Sequence, residues 1–475
     1  MTLAGPVEGG RQSAVLRWPV MAVRFVVIGG GPAGTHAAIT GARLGAEVTV
    51  VERDVFGGAA NLWDCIPSKA MIATGAVMSV ADRAPGMGLQ ALDSRLDLPA
   101  LAGRIKDIET GLSGSVSQLL ESQGVRLIRG EATMKGPHEI VVESASGLEE
   151  LTAEAVLVST GSRPRIPDFA EPLLGGGRVL TTRDAYPPPE MPEHLVVIGS
   201  GVTGVEFVHM FRSLGSAVSL IVSRQHVLPQ KDAEVAAALE EDFLRRGVNL
   251  LKGGRAAGID VTDQGVTVRC EDGRAVSGSH ALLAVGSIPN SEGLGLDSAG
   301  VEVDAGGYVP VNQHCQTNVG HIYAAGDLSG RLPLASVAAM QGRKVAEHVM
   351  GLHTRKHRHL DYDKAASAIF TEPEIADVGL AEAEAFAIGR KIRVTKVPFA
   401  ANARALIDGD ARGFVKVVSD PYTGVVLGGS IVGRGAAELI SVLAVAVTNN
   451  LKVTDIVESL LVHPALAEAL ADAAE

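Results

Sequence analysis

One structural unit occurs twice in this chain, and the repetition restricts the possible folds more than any other feature. The segments 23–54 and 194–224 each contain an apolar run of strand length, a glycine-rich turn, a helical stretch and a second β-branched run. In a GxGxxG turn the first glycine makes the tight turn, the second lets backbone N–H groups approach a pyrophosphate, and the third lets helix and strand pack closely. One such turn is weak evidence, but two in the same register predict two dinucleotide-binding domains. The glycines are Gly29, Gly31 and Gly34 in the first copy and Gly199, Gly201 and Gly204 in the second.

The two copies differ where their second strand ends. Glu52 in the first copy can accept hydrogen bonds from a ribose 2′-hydroxyl, which suits the adenosine half of FAD or NAD. Its counterpart is Val222, followed by Ser223 and Arg224, a hydroxyl and a guanidinium where an adenosine 2′-phosphate would lie. We therefore expect FAD in the first site and NADPH in the second, with NADH as an alternative donor. The other interpretation of Arg224 is a solvated surface cation.

Composition excludes several classes of protein. The formal net charge of −12 disfavours nucleic acid as a partner, because that binding needs Lys and Arg against phosphates. The apolar run at 439–447 is far shorter than the roughly 20 residues that span a bilayer, so no membrane span is expected. Residues 1–20 lack the features of a signal peptide and are predicted to be a disordered extension. Three cysteines cannot form a disulfide framework, so a reducing, cytoplasmic location is expected.

Beyond the repeat, the chain resembles the flavoprotein disulfide reductases, which include lipoamide dehydrogenase, glutathione reductase and soluble transhydrogenase. The resemblance extends from about residue 23 to the carboxyl terminus. It implies that Asp327, in "HIYAAGDLSG", contacts the ribityl chain of FAD, and that the protein is a homodimer. The other motifs that carry it are 157–167, 282–290, 369–380 and 462–473.

The resemblance also implies an organisation. Residues 21–166 and 287–355 would form the FAD domain, 167–286 the NAD(P) domain and 356–475 the dimerisation domain. The predicted fold class is α/β, with two doubly wound nucleotide-binding domains and an α+β interface domain. Apolar residues at helical spacing predict a helix over 100–123, within the first segment.

The stretch "GGAANLWDCIPSK" (57–69) departs from the family. The family has CxxxxC before IPSK, but here the first position is Ala60 and the second is Cys65. A dithiol relay needs an attacking and a resolving sulfur, so reduction of a disulfide substrate by the family route is not expected. Cys65 is either a redox-active thiol beside the flavin or inert packing.

Further site residues follow from the family motifs. Lys69 matches the lysine near flavin N5, and Glu206 matches its paired acid, although a solvated surface pair is the alternative. His463 and Glu468 match the HPxxxE pattern of an acid–base pair, and they either protonate a reduced acceptor or remain as structural residues. Trp63 either belongs to the core or stacks on a planar acceptor. Gly58 is predicted to contact FAD and Gly286 to contact NAD(P).

Taken together, these features predict an FAD-dependent NAD(P)H:quinone oxidoreductase that has no redox disulfide. A quinone is planar, accepts a hydride and a proton, and could occupy the space left by the missing thiol. Two alternatives remain open: a pyridine nucleotide transhydrogenase, and a non-catalytic FAD-bound component of a multienzyme complex. No metal site is expected.

Overall fold

The structure is a computed structural model that describes residues 22–59, 63–352 and 359–475. Ala60 and the segment 1–20, both subjects of the predictions above, lie outside these residues. Within the described residues, the strands form five sheets.

The first sheet is mostly parallel and has seven strands: β1 (Arg24–Ile28), β2 (Glu47–Glu52), β3 (Arg126–Met134), β4 (Glu139–Ser144), β5 (Gly147–Thr152), β6 (Ala155–Val158) and β17 (Ile322–Ala324). Their order is β17-β6-β1-β2-β3-β4-β5, and the last two strands form an antiparallel edge. Strands β1 and β6 are almost wholly buried and apolar, as expected for parallel strands covered on both faces. The helices of this part are α1 (Pro32–Arg43), α2 (Ile66–Arg83), α3 (Leu98–Ser122) and α6 (Ala335–Val349).

The predicted helix over 100–123 is therefore confirmed as α3, with a start two residues earlier than expected. The carboxylate of Asp97 accepts a hydrogen bond from the Ala100 N–H and so satisfies one of the free donors at the start of this helix.

The second sheet is entirely parallel and has five strands: β8 (Val179–Thr181), β9 (His194–Ile198), β10 (Ala217–Val222), β11 (Asn249–Lys252) and β15 (His280–Leu283). Their order is β11-β10-β9-β15-β8. Helices α4 (Val202–Ser213) and α5 (Ala233–Arg245) accompany it. An antiparallel sheet of three strands lies between β11 and β15 in the chain: β12 (Ala256–Thr262), β13 (Gly265–Cys270) and β14 (Ala275–Gly278).

Two short segments connect the first and second sheets. Strand β7 (Ser162–Pro164) leaves the first sheet and β16 (Ser287–Pro289) returns from the second, and the two pair antiparallel to each other. The strands of the first sheet all fall within the predicted segments 21–166 and 287–355, and those of the second within 167–286. The boundaries themselves remain a prediction.

The carboxyl-terminal part is an antiparallel sheet with helices, which is the predicted α+β arrangement. Its strands are β18 (Ser367–Ile369), β19 (Ile375–Gly379), β20 (Arg393–Pro398), β21 (Phe414–Ser419) and β22 (Val426–Val432), in the order β18-β19-β22-β21-β20. Its helices are α7 (Glu382–Ala387), α8 (Ala403–Ile407), α9 (Ala436–Asn449), α10 (Val453–Val457) and α11 (Glu468–Ala474). Helix α9 packs on β19 and β22, and α11 packs on β20 and β21.

Ion pairs join this part to the second sheet. The ammonium of Lys416, on β21, is 2% exposed and lies 3.0 Å from a carboxylate oxygen of Asp232 and 3.0 Å from one of Glu382. Asp232 caps the start of α5, so a buried cation fixes that helix against the carboxyl-terminal sheet. Within the described residues, no helix combines the length and apolar character needed to cross a membrane.

Candidate active site

The two glycine turns have the same local geometry. A Cβ on Gly29 would lie 2.4 Å from the carbonyl oxygen of Ser159, and one on Gly199 would lie 2.2 Å from that of Ala284. Ser159 directly follows β6, which pairs with β1, and Ala284 directly follows β15, which pairs with β9. At the third position of each motif, a Cβ on Gly34 or Gly204 would come within 2.0 Å or 1.9 Å of the carbonyl of the first glycine. Both turns therefore require glycine, for the reason that the sequence motif indicated.

Between the first turn and the carboxyl-terminal sheet lies a cleft of about 1070 Å³. Its volume is at the upper end of ligand pockets, roughly 300–1,000 Å³, and suits a large ligand. The cleft brings together residues from the first sheet, the second sheet and the carboxyl-terminal part. The sequence-predicted residues that line it are Gly29, Gly31, Glu52, Gly58, Cys65, Lys69, Glu206, Gly286 and Asp327, together with Trp63.

The wall formed by Gly31 and Gly58 fits a bound dinucleotide. Gly58 has φ +73°, and a Cβ there would lie 2.4 Å from the Cα of Gly31. The backbones of Gly31 and Gly58 thus lie close together, and neither residue has a side chain that would fill this part of the cleft, which we call the Gly31–Gly58 cradle. Glu52 is already oriented, because its carboxylate accepts hydrogen bonds of 2.7 Å from the Gly30 N–H and 2.7 Å from the Asp54 N–H. An oriented carboxylate at the end of β2 has the chemistry that a ribose hydroxyl needs. The residues present therefore fit FAD.

Asp327 lies further along the cleft, in the 3₁₀ turn that follows β17. Its carboxylate accepts a hydrogen bond of 2.6 Å from the Ser162 hydroxyl of β7. The connection between the two sheets is thereby attached to the residue predicted to contact the ribityl chain.

Lys69 and Glu206 form an ion pair in the middle of the cleft. The Lys69 Nζ lies 2.9 Å from Glu206 Oε2, and the two side chains are only 26% and 10% exposed. Glu206 Oε1 accepts a hydrogen bond of 2.9 Å from the Phe370 N–H, and the Lys69 Nζ lies 4.8 Å from the centroid of the Phe370 ring. The pair therefore connects α2, α4 and the end of β18. This burial and these partners argue against the solvated surface pair.

Cys65 stands directly before α2, one helical turn from Lys69. Burial raises the pKa of the Cys65 thiol above its ordinary value, and the nearby Lys69 ammonium offsets only part of this effect. The thiol is therefore protonated near neutral pH, which favours packing over a reactive thiolate. All three cysteines are free and described, and Cys270 and Cys315 are both buried. No second thiol partners Cys65.

An ion pair that sequence reasoning missed lines the cleft beside Cys65. The guanidinium of Arg183 donates two hydrogen bonds of 3.0 Å to the carboxylate of Asp64, and it lies 5.6 Å from the centroid of the Trp63 ring. Tyr186 also lines this wall, and burial raises the pKa of its phenol well above the ordinary value. Arg183 stands in an unremarkable "TTRDA" stretch, so no sequence signal could have indicated its partner 119 positions away.

His463 and Glu468 contact each other but lie outside the cleft of their own chain. The His463 Nδ1 is 2.7 Å from Glu468 Oε1, and Glu468 Oε2 accepts a hydrogen bond of 2.8 Å from the Ala465 N–H. The hydrogen bond from Ala465 and that from His463 lower the pKa of Glu468. The His463 side chain is 74% exposed, so the pair faces outward.

The predicted NAD(P) residues divide into two groups. Gly286 lines the cleft with Val202 and Thr203 of α4, whereas the glycines of the second turn, Gly199, Gly201 and Gly204, are not among its lining residues. Ser223 and Arg224 are exposed directly after β10, outside the cleft lining, and Arg224 makes no ion pair with any residue in the described ranges. Those ranges also contain no group of three or more potential metal ligands.

Two nucleotide-binding sheets, a shared cleft and a carboxyl-terminal interface domain define a flavin- and pyridine-nucleotide-dependent oxidoreductase. The family model described as pyridine nucleotide-disulphide oxidoreductase matches residues 23–342, and the model of its dimerisation domain matches residues 365–474. The chain belongs to this family, whose members use FAD and NAD(P)H, and the resemblance inferred from the sequence is confirmed.

Curated relatives cover almost the whole chain. A protein named NAD(P)H dehydrogenase (quinone) from Mycobacterium tuberculosis strain H37Rv is 42% identical over 466 residues, covering 96% of this chain and 94% of the relative. A dihydrolipoyl dehydrogenase from Zymomonas mobilis is 34% identical over 453 residues, covering 94% and 96%.

Solved structures agree with the fold. The crystal structure of LpdA from Mycobacterium tuberculosis has 41% sequence identity and a TM-score of 0.90, covering 95% of this chain and 99% of the other. A Cu(II) complex of the HOCl-induced flavoprotein disulfide reductase RclA from Escherichia coli has 25% identity and a TM-score of 0.85, covering 95% and 99%. The predicted α/β fold class is confirmed.

Proposed function

We propose that the protein is an FAD-dependent NAD(P)H:quinone oxidoreductase that acts as a homodimer without a redox disulfide. The observation that carries this proposal is Cys65, a half-buried thiol of raised pKa with no second thiol, next to the intact Lys69–Glu206 pair in a cleft suited to FAD. The M. tuberculosis relative named NAD(P)H dehydrogenase (quinone) supports the same acceptor. A cytoplasmic location remains a prediction.

The geometry supports a role for each proposed cofactor residue. Glu52 would bind the adenosine ribose, the Gly31–Gly58 cradle would admit the pyrophosphate, and Asp327 would hold the ribityl chain. FAD supplies the hydride-accepting and hydride-donating chemistry when it is bound. Ser223 and Arg224, exposed at the end of β10, would bind the adenosine 2′-phosphate of NADPH.

Lys69 and Glu206 would serve the reductive half of the reaction. The Lys69 cation is held by one carboxylate oxygen of Glu206, while the other oxygen is fixed by the Phe370 N–H. This arrangement prevents the cation from turning into solvent, so it stabilises negative charge that develops in the cleft without having to reorganise.

The oxidative half needs a diffusible acceptor, because the cleft offers no dithiol to pass electrons onward. A quinone takes a hydride and one proton to become a quinol, so NADPH, a proton and a quinone give NADP⁺ and a quinol. His463, oriented by Glu468, would supply that proton to the cleft of the second subunit in a homodimer. The alternative for this pair is a purely structural role at the interface.

The test is anaerobic NADPH oxidation by the purified flavoprotein with three acceptors offered separately: a small benzoquinone, oxidised lipoamide and a thio-NADP⁺ analogue. We expect rapid turnover with the benzoquinone alone. Turnover with lipoamide would reveal a thiol route and refute the proposal. Turnover only with the nucleotide analogue would assign transhydrogenation instead, and no turnover with any acceptor would support a non-catalytic role.

A further inference from the structure

Arg183 connects three elements beside Cys65. It belongs to the 3₁₀ turn Thr182–Ala185, directly after β8 of the second sheet. Its guanidinium donates to both carboxylate oxygens of Asp64, and one nitrogen also donates to the Ser162 carbonyl at 3.2 Å. Asp64 immediately precedes Cys65, and Ser162 is the residue whose hydroxyl donates to Asp327.

The contacts of Arg183 hold its guanidinium in a defined position. The Arg183 and Asp64 side chains are only 30% and 35% exposed, and the pair has the bidentate geometry that makes Arg–carboxylate pairs strong and directional. The guanidinium also lies over the indole of Trp63, which limits the positions the ring can adopt.

Arg183 lines two cavities. It lines the main cleft and also a second cavity of about 360 Å³, and Arg163 and Pro164 of β7 line both as well. Pro164, Ile166 and Ile288 give the second cavity an apolar part, and its other lining residues are polar or charged.

We propose that Arg183, through Asp64, is a positioning residue that holds Trp63 and Cys65 as one wall of the acceptor pocket. This inference rests on the proposed function, because it takes a quinone to be the molecule that contacts that wall. The charge of Arg183 is neutralised by Asp64, so the wall presents an aromatic ring and a protonated thiol without net charge. Such a surface suits an uncharged planar acceptor, and it offers no free cation to an anionic dinucleotide.

The test compares Arg183→Gln with Arg178→Gln in the FAD-loaded enzyme. Arg178 stands just before the other end of β8, is half-buried like Arg183, and donates to the carbonyls of Asp263 and Ser279, outside the cleft. For Arg183→Gln we expect the KM for benzoquinone to rise about tenfold, as for a lost charged hydrogen-bond pair. The KM for NADPH and the anaerobic rate of flavin reduction should stay within about twofold of wild type, because Lys69 and Glu206 keep their contacts.

A second readout does not depend on the acceptor. Alkylation of Cys65 by iodoacetamide, followed by mass spectrometry of its peptide, should become at least about fivefold faster in Arg183→Gln, because Asp64 no longer fixes the segment that carries the half-buried thiol. Arg183→Lys keeps the charge but cannot form the bidentate pair. Its quinone KM and alkylation rate should therefore fall between those of wild type and Arg183→Gln. Asp64→Asn should reproduce the effects of Arg183→Gln, and the double variant should add nothing further.

Equal quinone KM and equal alkylation rates in wild type and Arg183→Gln would overturn the inference. The same shifts in Arg178→Gln would also overturn it, since they would mean a general loosening of the second sheet. If Arg183→Gln does not retain FAD, Asp64→Asn decides by the same two measurements. Absence of quinone turnover in the wild type would refute the proposed function alone, because the alkylation rates still test whether Arg183 holds the wall.

Discussion

At the scale of single residues, Lys69 makes an ion pair and a ring contact, and a second lysine outside the cleft makes the same two kinds of contact. Its ammonium pairs with the Glu206 carboxylate and lies over the Phe370 ring. Lys396 has the same combination with Glu234, at 2.7 Å, and with the Phe414 ring, at 5.0 Å, but it lies outside the cleft. This second lysine therefore controls for the loss of an ion pair and a ring contact.

Lys69→Met is expected to slow anaerobic reduction of the flavin by NADPH about tenfold to a hundredfold, the usual cost of losing a fixed electrostatic group. Stopped-flow absorbance at the flavin band measures this rate. Lys396→Met should leave it unchanged. An unaltered rate in Lys69→Met would contradict the role of the pair in hydride transfer.

Cys65 yields a pH prediction. Because burial raises the pKa of its thiol, the thiolate is scarce at neutral pH, and the alkylation rate should still be rising at pH values above the ordinary thiol pKa. The Lys69 cation lowers this pKa, so Lys69→Met should move the pH–rate curve to higher pH. Rates of iodoacetamide labelling across the alkaline range measure both effects. A shift of the pH–rate curve to lower pH in Lys69→Met would contradict the prediction.

Arg224 tests the nucleotide preference. Since it is exposed and has no ion-pair partner in the described ranges, its replacement by Ala should disturb little except a bound 2′-phosphate. We expect Arg224→Ala to raise the KM for NADPH about tenfold and to leave the KM for NADH unchanged. Arg269→Ala, which removes an exposed arginine paired with Asp260, is the control. Equal KM values for NADPH would identify Arg224 as an ordinary surface cation.

At the scale of elements, the sequence predicted the structures that depend on residues close together in the chain. The two strand–turn–helix units and helix α3 follow from glycine spacing and apolar periodicity, and the structure contains them. The contacts that assemble the cleft were only partly predictable. Lys69 and Glu206 were paired through family motifs, whereas Phe370 and Arg183 were missed because ion pairs and ring contacts between distant elements have no sequence period.

Glu372 shows how such contacts join the elements. It accepts a hydrogen bond from Arg412 at 2.7 Å and contacts Arg83 of α2, so it links the first and carboxyl-terminal parts. Burial alone would raise the pKa of this carboxyl, but the hydrogen bond from Arg412 and the charges of both arginines outweigh it and lower the pKa to about 2. The ionised form is therefore stabilised by the fold.

Because the folded pKa of Glu372 is lowered, its contribution to stability is present above the unfolded pKa near 4.5 and is lost as the pH falls toward 2. Glu372→Gln should cost on the order of 2–3 kcal/mol at neutral pH. The difference in Tm from wild type should stay constant from pH 8 to about pH 5.5 and shrink below about pH 4.5. Glu154→Gln is the control: the hydrogen bond from Arg24 lowers the pKa of Glu154 to about 2, but the pair is exposed, so the effect on Tm should be small.

At the scale of the whole molecule, apolar side chains are exposed next to His463 in the chain and also on α9. Leu460 and Val462 are strongly exposed beside His463, and Val442 and Val445 are exposed on α9. A surface of this kind is expected where a second subunit packs. The family's dimerisation domain matches this region, and the outward orientation of His463 is what a role in the other subunit's cleft would require.

Hybrid dimers test that role. Subunits with Lys69→Met and subunits with His463→Ala, each with its own affinity tag, can be co-expressed and the mixed dimer isolated. If His463 serves the opposite cleft, one cleft of the mixed dimer combines an intact Lys69 with an intact His463, while the other lacks both. The mixed dimer should then have about half the quinone reductase activity of the wild type. If His463 served its own cleft, each cleft would carry one defect and no activity would be recovered. A His463→Ala homodimer with the full wild-type rate would instead assign the pair a structural role at the interface.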